Sequence, residues 1–274
     1  MFGGSHGYQT MYQALMNSCN FYYYTTVLGE NLATHQKHTV KVDAVDIIDM
    51  ATKFGLNSKT GIEIDIPQEA SGGVPSIEGK KTGIRVYLRL FLEANVERYL
   101  NDGAAVDSSM KNEIIEEIVS WIDRVEPMTR NEVYEGLKAL NLNPDKTNDN
   151  YVPLVDIIKY SYINQAAWTV GDNLNISIGQ GNNAYTTLQM ANYAASIANG
   201  GYRRNVSVIK EIKTYNGEKT DYIPLRESEK IELSSDSYLD VVKQGMKMVS
   251  YDDSAKPYSK FPVEVGSKTG TAQK

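Results

Sequence analysis

The sequence predicts an α+β fold in which helices predominate. Apolar residues recur at helical spacing along most of the 274 residues, whereas apolar and polar residues alternate over short segments such as 62–67. Another strand-like segment, 206–212, is followed by Asn216-Gly217, which is a strong signal for a hairpin. These observations indicate a mixed domain with many helices and a few strands.

Composition excludes several classes of function. The chain carries 28 basic and 34 acidic side chains, a formal charge of −6. Because binding nucleic acid requires a positive face to neutralise phosphates, no nucleic-acid partner is expected. Cys19 is the single cysteine, which excludes an intrachain disulfide and a multi-cysteine zinc site. No uninterrupted apolar stretch approaches the roughly 18 residues of a membrane-spanning helix.

The first elements are predicted to be two short helices in tandem. Apolar residues at helical spacing end at Met16, a polar run at 17–20 interrupts them, and the helical pattern resumes over 21–28. Polar side chains between two apolar helical runs are placed to point into a cleft. A third helix has Asp43 as its N-cap and ends at Gly55.

Residues 86–163 are predicted to form a helical insert with acidic outer faces. One amphipathic helix opens the insert, and a second carries the isoleucines of 114–122. Thr129 and Glu132 form a capping box that begins a third helix. A turn-rich segment, 141–150, precedes the fourth.

After the insert, loops are predicted at Gly171-Asp172-Asn173 and at 179–183. Thr186 with Gln189 is a second capping box, which begins another helix. The last stretch, 263–272, has the pattern of a strand and stops abruptly. The chain is therefore expected to be part of a domain that is truncated at both ends.

The tripeptide Lys-Thr-Gly occurs three times. The copies at 59–61 and 81–83 lie in polar, turn-like sequence and are interpreted as solvated loops. Lys268-Thr269-Gly270 lies in the final strand-like stretch and is followed by Thr271. A strand that carries an ammonium group, a hydroxyl and a glycine permitting close backbone approach suits a substrate with a carboxylate.

Ser18-Cys19-Asn20 matches the Ser-x-Asn element that accompanies Lys-Thr-Gly in serine acyl-transferases of the penicillin-recognising type, and it precedes Lys-Thr-Gly as it should. Longer stretches extend the likeness, namely 17–24, 61–64, 67–69, 168–172, 178–181 and 198–201. On these residues the chain resembles class B penicillin-binding proteins, with the elongation-type branch preferred. The resemblance covers about residues 3–80 and 165–274, and the insert matches no specific family.

This resemblance implies that residues 1–274 are part of a transpeptidase domain with the fold of penicillin-binding proteins and serine β-lactamases. A central antiparallel sheet would have helices on its faces, and a helical subdomain would carry Ser-x-Asn on one wall. The implied activity is D,D-transpeptidation, which cross-links peptidoglycan stem peptides by serine acyl transfer from D-alanyl-D-alanine. β-Lactams are expected to acylate the same serine.

The resemblance also implies roles for individual residues. Ser18 would relay a proton to the departing D-alanine amine, Asn20 would hold the catalytic lysine and the substrate amide, and Lys268 would add positive potential. The Thr271 N–H would form half of the oxyanion hole. The residues expected to bind or admit the substrate terminus are Thr269, Gly270 and Thr271.

The family's nucleophile is a serine in Ser-x-x-Lys upstream of Ser-x-Asn, and no such motif precedes Ser18. Matches at 108–111 and 207–210 come after Ser-x-Asn and are interpreted as coincidences. The nucleophile is therefore expected on an upstream segment of the same protein. Residues 97–101 fit the Glu-x-x-Leu-Asn element of class A β-lactamases, but they read more simply as the end of a helix.

No organic cofactor is implied. Cys19 is interpreted as a small buried thiol, and the alternative in which its thiolate binds Zn²⁺ with His6 stays open. The expected partners are the D-alanyl-D-alanine stem peptide, β-lactams, the upstream Ser-x-x-Lys segment and, by family analogy, a membrane glycosyltransferase. The native protein would lie on the extracytoplasmic face of the bacterial cell membrane, held by an N-terminal anchor.

Two functions from other classes share these motifs. A β-lactam sensor or non-catalytic scaffold would be acylated and then stall. A serine β-lactamase, the less favoured alternative, would release hydrolysed penicillin quickly.

Overall fold

The computed structural model describes residues 6–62, 69–221, 228–251, 258 and 260–270. The chain divides into two compact units. The first unit comprises residues 1–75 and 171–274, and the second comprises residues 76–170. The segment predicted as a helical insert, 86–163, lies within the bounds of the second unit.

Helices account for about half of the described residues. In chain order they are α1 (Met11–Met16), α2 (Asn20–Leu28), α3 (Ala44–Lys53), α4 (Ile77–Asn95), α5 (Ser108–Ser120), α6 (Arg130–Ala139), α7 (Leu154–Asp156), α8 (Asn164–Ala166), α9 (Val170–Ser177), α10 (Thr187–Ala198) and α11 (Ser237–Tyr251). A π-helix, Ile157–Ile163, joins α7 to α8. Single 3₁₀ turns, Val96–Tyr99 and Trp121–Asp123, follow α4 and α5.

The described strands are β1 (Tyr202–Arg203), β2 (Ile212–Lys213), β3 (Lys219–Asp221) and β4 (Glu229–Lys230). β1 pairs with β4 and β2 pairs with β3, both antiparallel. The hairpin predicted at Asn216-Gly217 joins β2 to β3, and the Thr214 N–H closes it on the Glu218 carbonyl at 2.7 Å. The α+β class is confirmed, although the described strands form two small sheets and not one central sheet. The strand predicted over 206–212 is regular only at its last residue.

The second unit is built around one large apolar core. α4, α5, α6 and the π-helix all contribute apolar side chains to it, although Val86, Tyr87 and Leu90 of α4 are exposed. The fully buried side chains include Leu88, Leu92, Val96, Tyr99, Ile115, Ile118, Val133, Leu137, Leu142, Leu154, Val155 and Ile158. This unit therefore has the core of an independently packed helical bundle.

α4 begins earlier than its periodicity predicted. The Ser76 hydroxyl caps the helix by accepting from the Gly79 N–H at 2.9 Å. The Lys-Thr-Gly copy at 81–83, predicted as a loop, lies inside α4, and that prediction is wrong. Thr82 accepts from Arg85 Nη1 at 3.1 Å on the solvent side, so the polar residues that suggested a turn form the exposed helix face.

Both predicted capping boxes are confirmed. The Thr129 and Glu132 side chains satisfy each other's backbone N–H at the start of α6, and Thr186 and Gln189 do the same at the start of α10. The loop predicted at 171–173 is wrong, because these residues form the first turns of α9. Asp172 lies in that first turn, where a carboxylate interacts favourably with the helix dipole.

The long helix α11 holds two distant parts of the first unit together. A methyl group built on Gly245 would lie 2.9 Å from Leu15 Cβ, so α1 approaches α11 as closely as a glycine allows. At the next position, Met246 Cβ would lie 3.2 Å from a methyl group on Gly266. The Ser267 N–H also donates to the Met246 carbonyl at 3.0 Å. One turn of α11 therefore packs against both α1 and the final described segment.

None of the helices that the structure describes is long and apolar enough to cross a membrane.

We expect Gly245→Ala to destabilise the protein. Helix propensity alone would favour alanine by about 0.5–1 kcal/mol, but overpacking against the base of Leu15 costs about 1–3 kcal/mol. Thermal unfolding should show a lower midpoint. Gly83→Ala, inside α4 with no atom within 4 Å of the added methyl, is the matched control and should raise the midpoint. Equal shifts in the two variants would contradict the packing argument.

Candidate active site

Ser18 lies in the tight turn between α1 and α2. Its backbone is left-handed, with φ at 49°, which costs a residue other than glycine roughly 1–2 kcal/mol. Two hydrogen bonds hold the turn, since the Ser18 N–H donates to Leu15 O at 3.3 Å and the Cys19 N–H donates to Ala14 O at 3.0 Å. The sharp turn leaves the Ser18 side chain exposed and places Asn20 at the first position of α2.

Lys268 lies in an extended segment that was predicted as a strand. Within the described part of that stretch, 263–270, no strand pairing occurs, so the strand prediction is wrong there. α11 supplies hydrogen-bond partners in place of a neighbouring strand. The Val265 N–H donates to Tyr251 Oη at 2.9 Å, and the Ser250 and Ser267 hydroxyls lie 2.9 Å apart. The predicted site residue Thr271 lies outside the described residues.

Ser18 and Lys268 meet, although 250 positions separate them in the chain. The Lys268 ammonium donates to Ser18 Oγ and to Thr269 Oγ1, the latter at 3.1 Å. Ser18 Oγ and Thr269 Oγ1 are themselves 2.8 Å apart, within hydrogen-bond distance. The predicted residues Ser18, Lys268 and Thr269 therefore form one closed network of a cation and two hydroxyls.

The Lys268 ammonium is partly desolvated. Although the residue is largely exposed, partial burial of its ammonium lowers the pKa of Lys268 from the ordinary lysine value. No carboxylate is bonded to it among the described residues, where its hydrogen bonds go to hydroxyl and carbonyl oxygens. A lysine of this kind exchanges a proton more readily than a fully solvated one.

These residues line a cleft of about 570 Å³. α2 contributes Asn20, Tyr23 and Tyr24 to its wall, and the final segment contributes Lys268, Thr269 and Gly270. A third wall, which sequence reasoning missed, consists of Asn175, Ser177, Ile178 and Gln180. The sequence predicted only that residues 179–183 form a loop. Its Gly-Gln-Gly sequence was the available signal, because two glycines let a backbone run close to a bound ligand.

Tyr23 has a buried hydroxyl on this cleft wall. Its phenol oxygen has no hydrogen-bond partner in the part of the chain that the structure describes. Burial, with smaller contributions from Tyr22 and Cys19, raises the pKa of Tyr23 to about 12. The phenol is therefore neutral at physiological pH and carries an unsatisfied polar atom.

Cys19 and His6 do not form a metal site with other described residues. Cys19 is buried at the start of α2, and His6 is exposed. No group of three or more His, Cys, Asp or Glu side chains placed to hold a metal ion occurs among the residues described. The buried thiol matches the structural interpretation of Cys19.

The side chains of the remaining motif matches form ion pairs and hydrogen bonds within the protein. Lys111 of the Ser-x-x-Lys copy at 108–111 forms an ion pair with Glu97 of the β-lactamase-like stretch at 2.7 Å, so the two pair with each other in the helical unit. In the Lys-Thr-Gly copy at 59–61, Thr60 is buried and its hydroxyl donates to Glu69 at 2.7 Å. A hydrogen bond from the Thr60 N–H, together with the one from its hydroxyl, lowers the pKa of Glu69.

A family model and curated relatives both match this chain, and all of them are penicillin-binding proteins. The model of the penicillin-binding protein transpeptidase domain family matches residues 3–274. Over 106 residues the chain is 33% identical to Penicillin-binding protein 2A of Bacillus subtilis, and over 105 residues it is 38% identical to Penicillin-binding protein H of the same organism. Each match covers 36% of this chain and 14% of the relative, so the chain corresponds to a small part of those proteins.

Among solved structures, penicillin-binding protein 2B of Streptococcus pneumoniae is similar with a TM-score of 0.48 and 20% identity. The likeness covers 96% of this chain and 30% of that one.

We expect Tyr23→Phe to leave stability unchanged or to raise it by about 1 kcal/mol, because the change removes a buried hydroxyl that has no partner. Denaturant unfolding measures the difference. Tyr134→Phe is the control and should lower stability, since the Tyr134 hydroxyl donates to Asp145 at 2.8 Å. A loss of stability in Tyr23→Phe larger than that in Tyr134→Phe would mean that the Tyr23 hydroxyl does form a bond.

Proposed function

Because the chain belongs to the penicillin-binding protein transpeptidase domain family, we propose that it forms part of a D,D-transpeptidase. This enzyme would cross-link peptidoglycan stem peptides by serine acyl transfer from D-alanyl-D-alanine. The observation that supports the proposal most directly is the network of Ser18, Lys268 and Thr269 in one cleft. Acyl transfer requires a proton carrier and a group that binds the substrate terminus, and this network offers both.

In the proposed mechanism, Ser18 passes a proton to the departing amine of D-alanine. Its hydroxyl accepts from the Lys268 ammonium, so it can donate its own proton outward and regain one from the lysine. Lys268 also adds positive potential where the substrate carboxylate would lie. Thr269 would donate a hydrogen bond to that carboxylate, and Gly270 would let the peptide backbone approach.

Asn20 would bind the catalytic lysine of the nucleophile segment and the substrate amide. Its carboxamide is exposed on the cleft wall and forms no hydrogen bond with other described residues, which leaves it available. The nucleophile would belong to a Ser-x-x-Lys segment of the same protein outside these 274 residues. The Thr271 N–H would supply half of the oxyanion hole, a donor worth about 3–4 kcal/mol of transition-state stabilisation.

The wider setting follows from the same proposal. β-Lactams would acylate the nucleophilic serine as analogues of D-alanyl-D-alanine. The enzyme would act on the extracytoplasmic face of the bacterial cell membrane, together with a membrane glycosyltransferase that supplies glycan strands. The elongation-type branch stays a prediction.

The proposal is tested by treating the complete protein with penicillin, measuring its mass and mapping the adduct. We expect one adduct, on a serine outside residues 1–274, and rapid transfer of a donor peptide to a D-amino acid acceptor. An adduct inside these residues would overturn the assigned roles. A stable adduct without transfer would instead indicate a sensor, and rapid release of hydrolysed penicillin would indicate a β-lactamase.

We expect acylation of the complete protein to fall as the pH rises through the pKa of Lys268. Since burial lowers that pKa, the decline should begin below the ordinary lysine value of about 10.4. Lys268→Arg keeps a cation to higher pH and should move the decline upward, whereas Lys268→Gln should reduce the rate at every pH. Stopped-flow acylation between pH 6 and about 11 measures this. If the decline at high pH is the same in Lys268→Arg as in the unmodified protein, a group other than Lys268 causes it.

A further inference from the structure

The third wall of the cleft carries a polar side chain with no assigned role. Several polar groups around the cleft are already bonded within the protein. Ser18, Lys268 and Thr269 bond to one another, and Ser177 Oγ donates to Leu174 O at 2.7 Å. By contrast, the exposed carboxamide of Asn175 forms no hydrogen bond with any other described residue.

Asn175 is nevertheless held firmly by its backbone. Its carbonyl accepts from the Ile178 N–H at 3.2 Å and from the Gln180 N–H at 2.9 Å, which closes the end of α9. A methyl group on Gly181 would lie 3.3 Å from Asn175 Cβ, so the following loop packs against the base of the side chain. The backbone and the base of the side chain are thus fixed, and the carboxamide stays available to a ligand in the cleft.

The chemistry of the group indicates what it would bind. A carboxamide offers a donor and an acceptor side by side, which complements the N–H and C=O of a peptide group. Asn20 presents a second carboxamide to the same cleft from α2. A peptide donor in the cleft would therefore meet one carboxamide from α2 and one from α9.

Resting on the proposed function, we propose that Asn175 is a specificity-determining residue that hydrogen-bonds a backbone amide of the acyl-donor peptide, on the N-terminal side of D-alanyl-D-alanine. It recognises the length and amide backbone of the donor and takes no part in moving protons. Loss of its carboxamide therefore weakens donor binding and leaves the acylation chemistry intact.

The test uses the complete protein and two probes. The first is diacetyl-L-lysyl-D-alanyl-D-alanine, which carries an amide upstream of the D-alanine pair. The second is 6-aminopenicillanic acid, a β-lactam that lacks an acylamino side chain. For Asn175→Ala we expect KM for the peptide to rise about tenfold, the effect of one lost hydrogen bond, with kcat within about twofold of the unmodified protein. The acylation rate with 6-aminopenicillanic acid should stay within about twofold.

Two further variants keep the test decisive. Asn175→Gln retains the carboxamide and should recover part of the peptide affinity. Asn182→Ala, an exposed asparagine nearby that does not line the cleft, should leave both probes unchanged. An unchanged KM in Asn175→Ala, or an equal loss with both probes, would overturn the inference. If the unmodified protein reacts with neither probe, the proposed function fails instead.

Discussion

The close approach of α1 and the final described segment to one turn of α11 is the constraint on which the candidate site depends. Leu15 packs on Gly245, and Gly266 packs beside Met246, the next residue of the helix. Ser18 follows Leu15 by three residues, and Lys268 follows Gly266 by two. The two groups that we propose to share a proton are thus positioned by adjacent residues of a single helix.

This arrangement explains why the site tolerates weak local structure. Ser18 lies in a strained left-handed turn, and the Lys268 segment has no neighbouring strand within the described residues. The Ser18 turn has two backbone hydrogen bonds of its own, whereas the segment that carries Lys268 is bonded mainly to α11. The helix between them supplies the order, through the Ser267 bond to Met246 and the tyrosine and serine hydroxyls of its last turn. Rigid support beneath loosely built loops is a common basis for catalytic precision.

Much of this could be predicted from the sequence. The capping boxes at Thr129 and Thr186 identified two helix starts correctly, because both partners of each box lie within three residues. The pairing of Ser18 with Lys268 was predicted from a family resemblance and not from local pattern. The sequence pattern did not predict elements whose contacts are long-range. Residues 263–270 alternate like a strand, yet their partners are side chains of α11, and no periodicity encodes which element a chain will meet.

The third wall of the cleft was missed for a related reason. Gly171 and Asn173 are typical of turns, so the segment read as a loop, but tertiary packing kept it helical. That helix carries Asn175 into the cleft. Local propensity thus failed just before a residue that lines the site, and structure often departs from local preference near such sites.

The separation of Ser18 and Lys268 by 250 positions also bears on how the protein folds. Closing so long a loop is entropically costly and slow, whereas residues 76–170 have a core made of contacts within their own span. The helical unit can therefore condense first and shorten the effective distance between the flanking segments. Until α11 has been synthesised, Leu15 lacks its packing partner. Assembly of the network of Ser18, Lys268 and Thr269 is consequently a late event in the biogenesis of this domain.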